Sequence, residues 1–378
     1  DVVAANPSTF RIVSPDELAS NKLDAVLEVT DRVYRWPTSY AEHLGPRGRV
    51  MEVLSEHDCQ GWLEGYLLTG RHGLFPCYEA FASIVDSMVN QYAKFLKMAG
   101  EVSWREPVSS LNYLLTSEGW RQEHNGYSHQ GPGFINNVLT KKSSVARVYL
   151  PPDANTLLVT MEHCLRTTNR INVVVAGKNA APQWTTLAQA RALFDAGATC
   201  WEWASTEVTD PDVVLACCGN IPTIETLAAA WLLRRDAPDL RVRLVNVLDL
   251  LALTHPDRHP HGLSADTFRT LFGDDADVVF DFHGYPMAVH EVLHGRPAPD
   301  RFHVLGYVEE GTTTTPYDLL ASNGVSRHDV AIQAIRRARG GDRFRELAQR
   351  YAADRDRIRV ALRRDGIDPP EITDWAWS

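Results

Sequence analysis

Apolar runs rich in β-branched residues alternate along the chain with segments whose apolar residues recur at helical spacing. Several of these runs contain almost no polar residue, which is typical of parallel strands covered by helices on both faces. The alternation predicts an α/β fold. The predicted strands are 146–150, 171–175, 213–217, 242–247, 278–282 and 303–307.

Helices are predicted at four places, and the clearest pattern lies in 79–98. Its apolar residues recur every three or four positions and form one face. That face consists of Phe81, Ile84, Val85, Met88, Tyr92 and Phe95. The other predicted helices are 21–34, 224–234 and 329–339.

The length of 378 residues favours two domains over one. A boundary is expected near residue 180, because a strand that ends at Val175 is followed by a polar stretch interrupted by Pro182. We therefore predict two α/β domains, 1–182 and 183–378. A hydrophobic fraction of 44% and a charged fraction of 23% are ordinary for globular proteins, so a disordered or fibrous chain is excluded.

Charge, apolar runs and cysteine content indicate which binding partners and which cellular compartment to expect. A formal net charge of −10 disfavours nucleic acid, and the Arg-rich segment 335–365 also contains enough acidic residues to indicate a solvated helical face. No apolar run approaches the roughly 18–20 residues of a membrane span. Residues 1–30 lack the pattern of a signal peptide. Six cysteines without metal-binding spacing predict a cytoplasmic protein with reduced thiols.

The densest polar stretch is 121–130, which contains His124 and His129 and is followed by Gly131 and Pro132. Polar density on a loop between packed elements is typical of active sites, but a surface loop with two incidental histidines has the same composition. Both alternatives stay open from the residues alone. A metal site is not expected here, because no other ligand cluster lies nearby.

Three further features have both a functional and a structural interpretation. Glu56 follows the apolar run 50–54, and a carboxylate at the end of a buried strand needs a partner. Alternatively, Glu56 caps a helix that starts near Cys59. The four threonines before Pro316 could bind an anion, although a cap on the next helix is favoured. His283 ends a predicted strand, where α/β proteins place ligands, but a structural histidine fits equally well.

The sequence lacks the glycine-rich motifs of dinucleotide and nucleotide phosphate sites and the Gly-x-Ser-x-Gly motif of hydrolases. It also lacks a Gly-Asp-Gly segment followed by Asn, the usual metal motif of thiamine-diphosphate enzymes. Long strings nevertheless resemble the C-terminal half of phosphoketolases. These strings lie within 49–57, 61–73, 78–81, 110–115, 120–130, 148–157, 175–178, 222–227, 259–264, 282–286 and 309–316.

The resemblance implies a domain layout and a cofactor. Phosphoketolases use thiamine diphosphate and have a pyrophosphate-binding domain, a pyrimidine-binding domain and a transketolase-like C-terminal domain. The chain resembles the last two, which gives two doubly wound domains, the pyrimidine-binding domain at 1–182 and the transketolase-like domain at 183–378. A second subunit or upstream domain is then expected to supply the pyrophosphate-binding domain and the Mg²⁺ ligands. A dimer of such pairs is expected.

The resemblance also implies roles for residues around the cofactor. Glu56 matches the glutamate that contacts the aminopyrimidine and exchanges a proton with its ring nitrogen. Tyr78 and Phe81 match aromatic positions that pack on the same ring.

A second group matches positions that face the substrate. His124 and His129 are implied as acid–base residues during loss of a hydroxyl group from a ketose-phosphate substrate. The residues implied to contact the sugar phosphate or the acceptor phosphate are Ser20, Gln122, Glu123, Asn125 and Lys178.

The chain departs from the family pattern at several of these places. The family usually has Asp at Glu123, Phe at Tyr127 and Asp at Gly131. Basic residues are expected at Leu305 and Val308. A carboxylate displaced by one methylene and the loss of two positive charges put the ordinary pentose or hexose phosphate substrate in question.

Two functional hypotheses follow. The first is one subunit of a split phosphoketolase-like enzyme, which forms acetyl phosphate or passes the two-carbon unit to another acceptor. The second is a catalytically silent scaffold or regulatory subunit. Joint retention of the residues matched to the site favours the first. These residues are Glu56, Tyr78, Phe81, His124, Asn125, His129 and Lys178.

Overall fold

A computed structural model describes residues 1–34, 44–116, 119–120 and 126–377. The chain forms two compact units. The first comprises 1–118, 133–149 and 160–179, and the second comprises 119–132, 150–159 and 180–378. Because the chain changes unit more than once, a single cut does not describe the division, and the assignment of 1–182 and 183–378 as domains stays a prediction.

The first unit is built on a parallel sheet. In the described part of the chain it has six strands in the order β2-β1-β3-β4-β6-β5. They are β1 (Phe10–Ser14), β2 (Val50–Glu52), β3 (His72–Cys77), β4 (Leu111–Leu115), β5 (Ala146–Tyr149) and β6 (Ile171–Val175). Every residue of β4, β5 and β6 is buried, as expected for strands covered on both faces.

The second unit has its own sheet, with the order β11-β10-β8-β9-β7 in the residues described. Its strands are β7 (Ala198–Cys200), β8 (Val213–Cys218), β9 (Val242–Val247), β10 (Asp277–Phe282) and β11 (Phe302–Leu305). The pairings are parallel except that β7 runs antiparallel to β9.

Helices cover the sheets. In chain order they are α1 (Val2–Ala5), α2 (Glu56–Leu67), α3 (Glu79–Ala82), α4 (Asp86–Ala99), α5 (Gly133–Leu139), α6 (Ala154–Arg166), α7 (Leu187–Ala196), α8 (Asn220–Asp236), α9 (Ala265–Phe272), α10 (Pro286–Leu293), α11 (Pro316–Ser322), α12 (Arg327–Arg337), α13 (Arg345–Asp365) and α14 (Pro370–Thr373). Short 3₁₀ helices lie at Asp24–Glu28, Ser83–Val85, Gly126–His129, Glu202–Ala204, Leu250–Leu253, Pro299–Arg301 and Gly341–Phe344.

The predicted α/β architecture is confirmed. Each of the six predicted strands is present, with ends that differ by at most two residues. The predicted helices 224–234 and 329–339 correspond to α8 and α12. The predicted helix 79–98 is divided into α3, a 3₁₀ turn and α4. Its buried face also differs, because Ile84 is exposed while Val89 and Leu96 are buried.

The predicted helix 21–34 is wrong. Only Asp24–Glu28 is helical, as a 3₁₀ turn without a buried residue. Arg32 instead forms bridges with Leu44 and Val50. Pairing with the edge of the sheet therefore replaces the helix that the local pattern favoured.

Four strands were not predicted, namely β1, β3, β4 and β7, whereas β2 lies within the apolar run 50–54. Polar residues and breakers interrupt their apolar pattern, as with Gly73 and Pro76 in β3 and Asn112 in β4. The buried Asn112 amide donates to the carbonyl of Gly73 over 3.3 Å and accepts from the side-chain amide of Asn172 over 2.7 Å. A residue that reads as a strand breaker in the sequence is therefore satisfied inside the sheet.

Candidate functional site

Polar side chains of the first unit gather where its parallel strands end. Asp16 follows β1, Glu56 follows β2, Tyr78 follows β3 and Lys178 follows β6. The carboxyl ends of parallel strands meet at one edge of a sheet, and α/β proteins bind ligands there. Residues more than 150 positions apart in the sequence thus come to one edge.

Glu56 is held by the start of α2. Ser55 caps this helix, and its hydroxyl accepts the backbone N–H of Asp58 over 3.3 Å. The interpretation of Glu56 as the cap is therefore wrong, because Glu56 is the first helical residue and Ser55 is the cap. The Glu56 side chain is partly buried. Leu54, at the end of the run that was predicted to be a buried strand, is instead 90% exposed.

Tyr78, Phe81 and Lys178 form a contact group. The rings of Tyr78 and Phe81 are nearly parallel, with an angle of 15° and centroids 6.4 Å apart. The Lys178 ammonium donates to the Tyr78 hydroxyl over 3.1 Å and lies 4.1 Å from the centroid of its ring. This position combines a hydrogen bond with cation–π attraction, so the ammonium is fixed at the edge of the sheet.

Asp16 belongs to this group, although the sequence did not single it out. Its carboxylate accepts the backbone N–H of Tyr78 over 3.2 Å. Burial raises the pKa of Asp16, and the charge of Glu56 raises it further, while the Tyr78 hydrogen bond and Lys178 oppose the rise. A carboxylate two residues beyond a strand would have been a signal, but β1 itself was not predicted.

Two thiols lie under the same edge. Burial raises the pKa of Cys59 to about 12, with Glu56 as the next cause. Burial also raises the pKa of Cys77 well above its usual value. Both thiols therefore stay protonated and are not nucleophiles.

Ser20 lies in the loop after β1. Its hydroxyl donates to the carbonyl of Glu17 over 2.7 Å. The next residue, Asn21, is buried and accepts a hydrogen bond from the Thr116 hydroxyl, which follows β4. The loop is thus tied to the same edge of the sheet as Glu56 and Lys178.

The predicted polar loop is only partly described. Gln122, Glu123, His124 and Asn125 lie outside the described residues. His129 belongs to the second unit, where it ends the 3₁₀ turn Gly126–His129, and its Nδ1 lies 2.9 Å from the Ser128 hydroxyl.

The threonine run and His283 favour the structural interpretation. Thr315 caps α11, and its hydroxyl accepts the backbone N–H of Asp318. His283 is 1% exposed, and its ring packs edge-on against Trp120 at a centroid distance of 5.9 Å.

Four residues that were expected to depart from the family pattern, Leu305, Val308, Tyr127 and Gly131, lie in the second unit. Leu305 packs against an apolar cluster that includes Trp120 and Tyr307, whereas Val308 is 49% exposed. The Tyr127 hydroxyl donates to the carbonyl of Glu309 over 2.7 Å. Gly131 is partly buried.

Within the described ranges, no three His, Cys, Asp or Glu side chains lie together as ligands of a metal ion. Nor does any helix in the described part of the chain have the length and apolarity needed to cross a membrane.

Comparisons with known proteins cover nearly the whole chain. The family model described as D-xylulose 5-phosphate/D-fructose 6-phosphate phosphoketolase matches residues 1–167, and the phosphoketolase C-terminal domain model matches 178–377. A protein of Bradyrhizobium diazoefficiens named "Probable phosphoketolase" is 54% identical over all of this chain and 48% of its own length. One of the same name from Brucella abortus is 51% identical, with the same coverage. The chain thus spans about half the length of these relatives.

Solved structures share the fold at low identity. A Pichia stipitis transketolase in complex with sedoheptulose 7-phosphate has a TM-score of 0.67 and 13% identity, and the match covers 89% of this chain and 44% of that one. A split-gene transketolase described as an inactive β4 tetramer has a TM-score of 0.54 and 15% identity, with 89% of this chain and 95% of that one covered. At such identities the likeness establishes a transketolase-like fold.

Proposed function

The chain belongs to the phosphoketolase family, and from this we propose that it is one half of a thiamine-diphosphate-dependent carbon–carbon lyase. The complete enzyme cleaves a ketose phosphate and either forms acetyl phosphate or passes the two-carbon unit to another acceptor. The single observation that supports this best is the gathering of Glu56, Tyr78, Phe81 and Lys178 at one edge of the first sheet.

The residues at this edge fit the aminopyrimidine of the cofactor. A flat heterocycle with a basic ring nitrogen needs a carboxyl group beside that nitrogen and an apolar surface beneath the ring. Glu56 provides the carboxyl group, and the near-parallel rings of Tyr78 and Phe81 provide the surface. When bound, thiamine diphosphate supplies the nucleophilic carbon that such a cleavage requires.

In this proposal each described residue has a defined task. Glu56 holds a proton at the ring nitrogen and returns it. Lys178 presents a positive charge to the acceptor phosphate, with Ser20 as a further donor. Asp16 fixes the backbone of Tyr78 and limits the net positive charge beside Lys178.

The polar loop supplies the remaining groups. We assign Gln122, Glu123 and Asn125 to the sugar phosphate. His124 and His129 move the proton when a hydroxyl group leaves the substrate, because imidazole both donates and accepts protons near pH 7.

We assign the diphosphate and its Mg²⁺ to a pyrophosphate-binding domain on a second subunit or upstream domain, with a dimer of such pairs as the assembly. Two findings support this assignment. The relatives are about twice as long as the chain, and a split-gene transketolase is matched over 95% of its length. Six free cysteines, five of them buried, agree with a cytoplasmic location.

The test is calorimetric titration of thiamine diphosphate and Mg²⁺ into the chain alone and into its mixture with the upstream half of the Bradyrhizobium relative. Weak binding is expected for the chain alone, and tight binding with acetyl phosphate formation from xylulose 5-phosphate is expected for the mixture. Lys178→Met is expected to abolish acetyl phosphate formation, whereas Lys94→Met, on the exposed face of α4, serves as the matched control.

Micromolar or tighter binding by the chain alone would contradict the divided site. Tight binding by the mixture without any product would favour the silent scaffold. The two results are independent, so the site and the activity are tested separately.

A further inference from the structure

Tyr127 packs closely against the segment 309–311 of the second unit. Its hydroxyl donates to the backbone carbonyl of Glu309 over 2.7 Å, across 182 positions of sequence. A Cβ atom on Gly311 would overlap the Tyr127 ring, so the backbone of Gly311 lies directly against that ring. Tyr127 is thus held both at its hydroxyl and along its ring.

The segment that contacts Tyr127 is itself bound to the end of α11. Asn323, which follows α11, is 7% exposed. Its side-chain amide donates to the carbonyl of Glu310 over 2.7 Å, and its oxygen accepts the backbone N–H of Val308 over 2.9 Å. A second hydrogen bond from the same amide to the Leu319 carbonyl fixes Asn323 on its own helix. The 308–310 segment is therefore held by hydrogen bonds that do not involve Tyr127.

Glu309 has an unusual backbone within this segment, with a φ of 61°. Non-glycine residues rarely adopt the left-handed region and keep it only where their surroundings impose it. In this conformation its carbonyl accepts from Tyr127, and its carboxylate accepts from the Tyr285 hydroxyl. The Tyr127 hydroxyl also lies 3.4 Å from a carboxylate oxygen of Glu309, but its bond to the backbone carbonyl, at 2.7 Å, is the shorter of the two.

Tyr127 lies inside the short turn that ends at His129. The backbone N–H of Gln130 donates to the Tyr127 carbonyl over 3.1 Å. The side chain of Gln130 in turn accepts the backbone N–H of Trp120 over 2.6 Å. Fixing Tyr127 therefore fixes the backbone on both sides of His129.

We propose that Tyr127 is a positioning residue, which uses its hydroxyl bond to Glu309 to hold His129 in the place where it acts on the substrate. This rests on the proposed function, in which His129 moves a proton. The hydroxyl bond adds to the packing of the Tyr127 ring against Gly311. The additional anchor restricts His129 before the substrate arrives, which lowers the entropic cost of reaching the reactive geometry.

Tyr127→Phe isolates this bond, because Phe keeps the ring that packs against Gly311 and removes only the hydroxyl. Hydrogen–deuterium exchange of the chain alone measures how well the turn is held. The amide of Gln130 is expected to exchange about fivefold faster in the variant, as for the loss of one hydrogen bond. Tyr351→Phe is the matched control, because its hydroxyl also donates to a backbone carbonyl of the second unit, that of Leu232, over 3.0 Å. This control is expected to leave exchange at 126–130 unchanged.

Glu309→Gln distinguishes the contribution of the Glu309 backbone carbonyl from that of its side-chain charge. It keeps the backbone acceptor, so protection of the turn is expected to stay as in the parent chain. If Glu309→Gln accelerates exchange as much as Tyr127→Phe does, the side chain holds the turn and the proposed route is wrong. Exchange at Gln130 in Tyr127→Phe within twofold of the parent value would also overturn the proposal.

Kinetics of the complete enzyme distinguish positioning from mere stability. Tyr127→Phe is expected to lower kcat about threefold or more with little change in KM, since binding groups are kept while the reacting group is less well placed. Tyr351→Phe is expected to leave both kcat and KM unchanged. Faster exchange with an unchanged kcat would refute the positioning role, whereas an inactive parent complex would count against the proposed function and leave the exchange result intact.

Discussion

Two carboxyl groups of the first unit lie within electrostatic reach of each other, and they differ in their surroundings. Asp16 is fixed by the Tyr78 backbone, and its pKa is raised by burial and by Glu56. Glu56 is the first residue of α2, and its side chain is partly buried. The Asp16 carboxylate is thus committed to a backbone hydrogen bond, and Glu56 is the carboxyl group that we propose as the partner of the cofactor.

The first prediction concerns the proton on Glu56. In the complete enzyme, Glu56→Gln is expected to lower kcat about 10²-fold or more, because Gln keeps a hydrogen-bonding group but cannot exchange the proton. Steady-state kinetics with xylulose 5-phosphate measure it. Asp58→Asn is the matched control, since it removes an exposed carboxylate from the same turn of α2. Equal kcat values for Glu56→Gln and the parent enzyme would disprove the role of Glu56.

The second prediction concerns His328 in the second unit. Burial lowers the pKa of His328 to about 4, with Arg327 as the next cause. The unfolded chain binds this proton below a pH of about 6.5, whereas the folded chain does so only near pH 4. The free energy of unfolding is therefore expected to fall by about 3 kcal/mol as the pH drops through this window.

Urea unfolding at pH 7 and pH 5 measures this loss. At pH 5 the His328 contribution amounts to about 2 kcal/mol, and His328→Gln is expected to remove that part of the pH dependence. His290→Gln, which alters an exposed histidine on α10, is the control. The same pH dependence in His328→Gln as in the parent chain would show that another group is responsible.

At the scale of elements, helix starts and strand ends place the candidate site. The Ser55 cap fixes the first turn of α2, and with it Glu56. The same device recurs at α9, where the Ser264 hydroxyl accepts the backbone N–H of Thr267 over 3.1 Å. The two caps are chemically alike, but only the first belongs to the candidate site.

The third prediction uses this pair of caps. Ser55→Ala is expected to lower the free energy of unfolding by about 1 kcal/mol, the usual cost of a lost N-cap, and Ser264→Ala by a similar amount. Only Ser55→Ala is expected to lower kcat as well, by about fivefold, because fraying of the first turn displaces Glu56. Denaturant titration and steady-state kinetics on both variants provide the comparison. Equal losses of kcat in both variants would show that stability, and not placement of Glu56, governs the rate.

At the scale of the whole molecule, the chain comprises two α/β units that together match about half the length of its relatives. Each unit is built on a largely parallel sheet, and the candidate site of the first unit lies where such sheets bind ligands. The inference that a pyrophosphate-binding partner completes the enzyme belongs to this scale, and the reconstitution experiment proposed above tests it.

The sequence by itself determined the α/β class, the family and four of the five strands described in the second sheet, β7 being the exception. Largely apolar runs and long family strings are local features, so they can be recognised without knowing which residues lie beside them in the fold. The first sheet was largely missed, because Gly73, Pro76 and Asn112 break its local pattern and are accommodated only by neighbouring strands. The same limit applied to 21–34, where pairing of Arg32 with Val50 prevails over the helical pattern.

The family resemblance grouped residues around the cofactor, but only the tertiary structure showed which contacts bring them together. Strand order brings Asp16, Glu56, Tyr78 and Lys178 to one edge, and the packing of the second unit brings Tyr127 to Glu309. The local sequence around Asp16 or Glu309 gives no sign of these neighbours, which lie from 40 to 182 positions away. The physical reason is that their hydrogen bonds and charges depend on the order in which strands pair, and that order is set by burial over each whole unit.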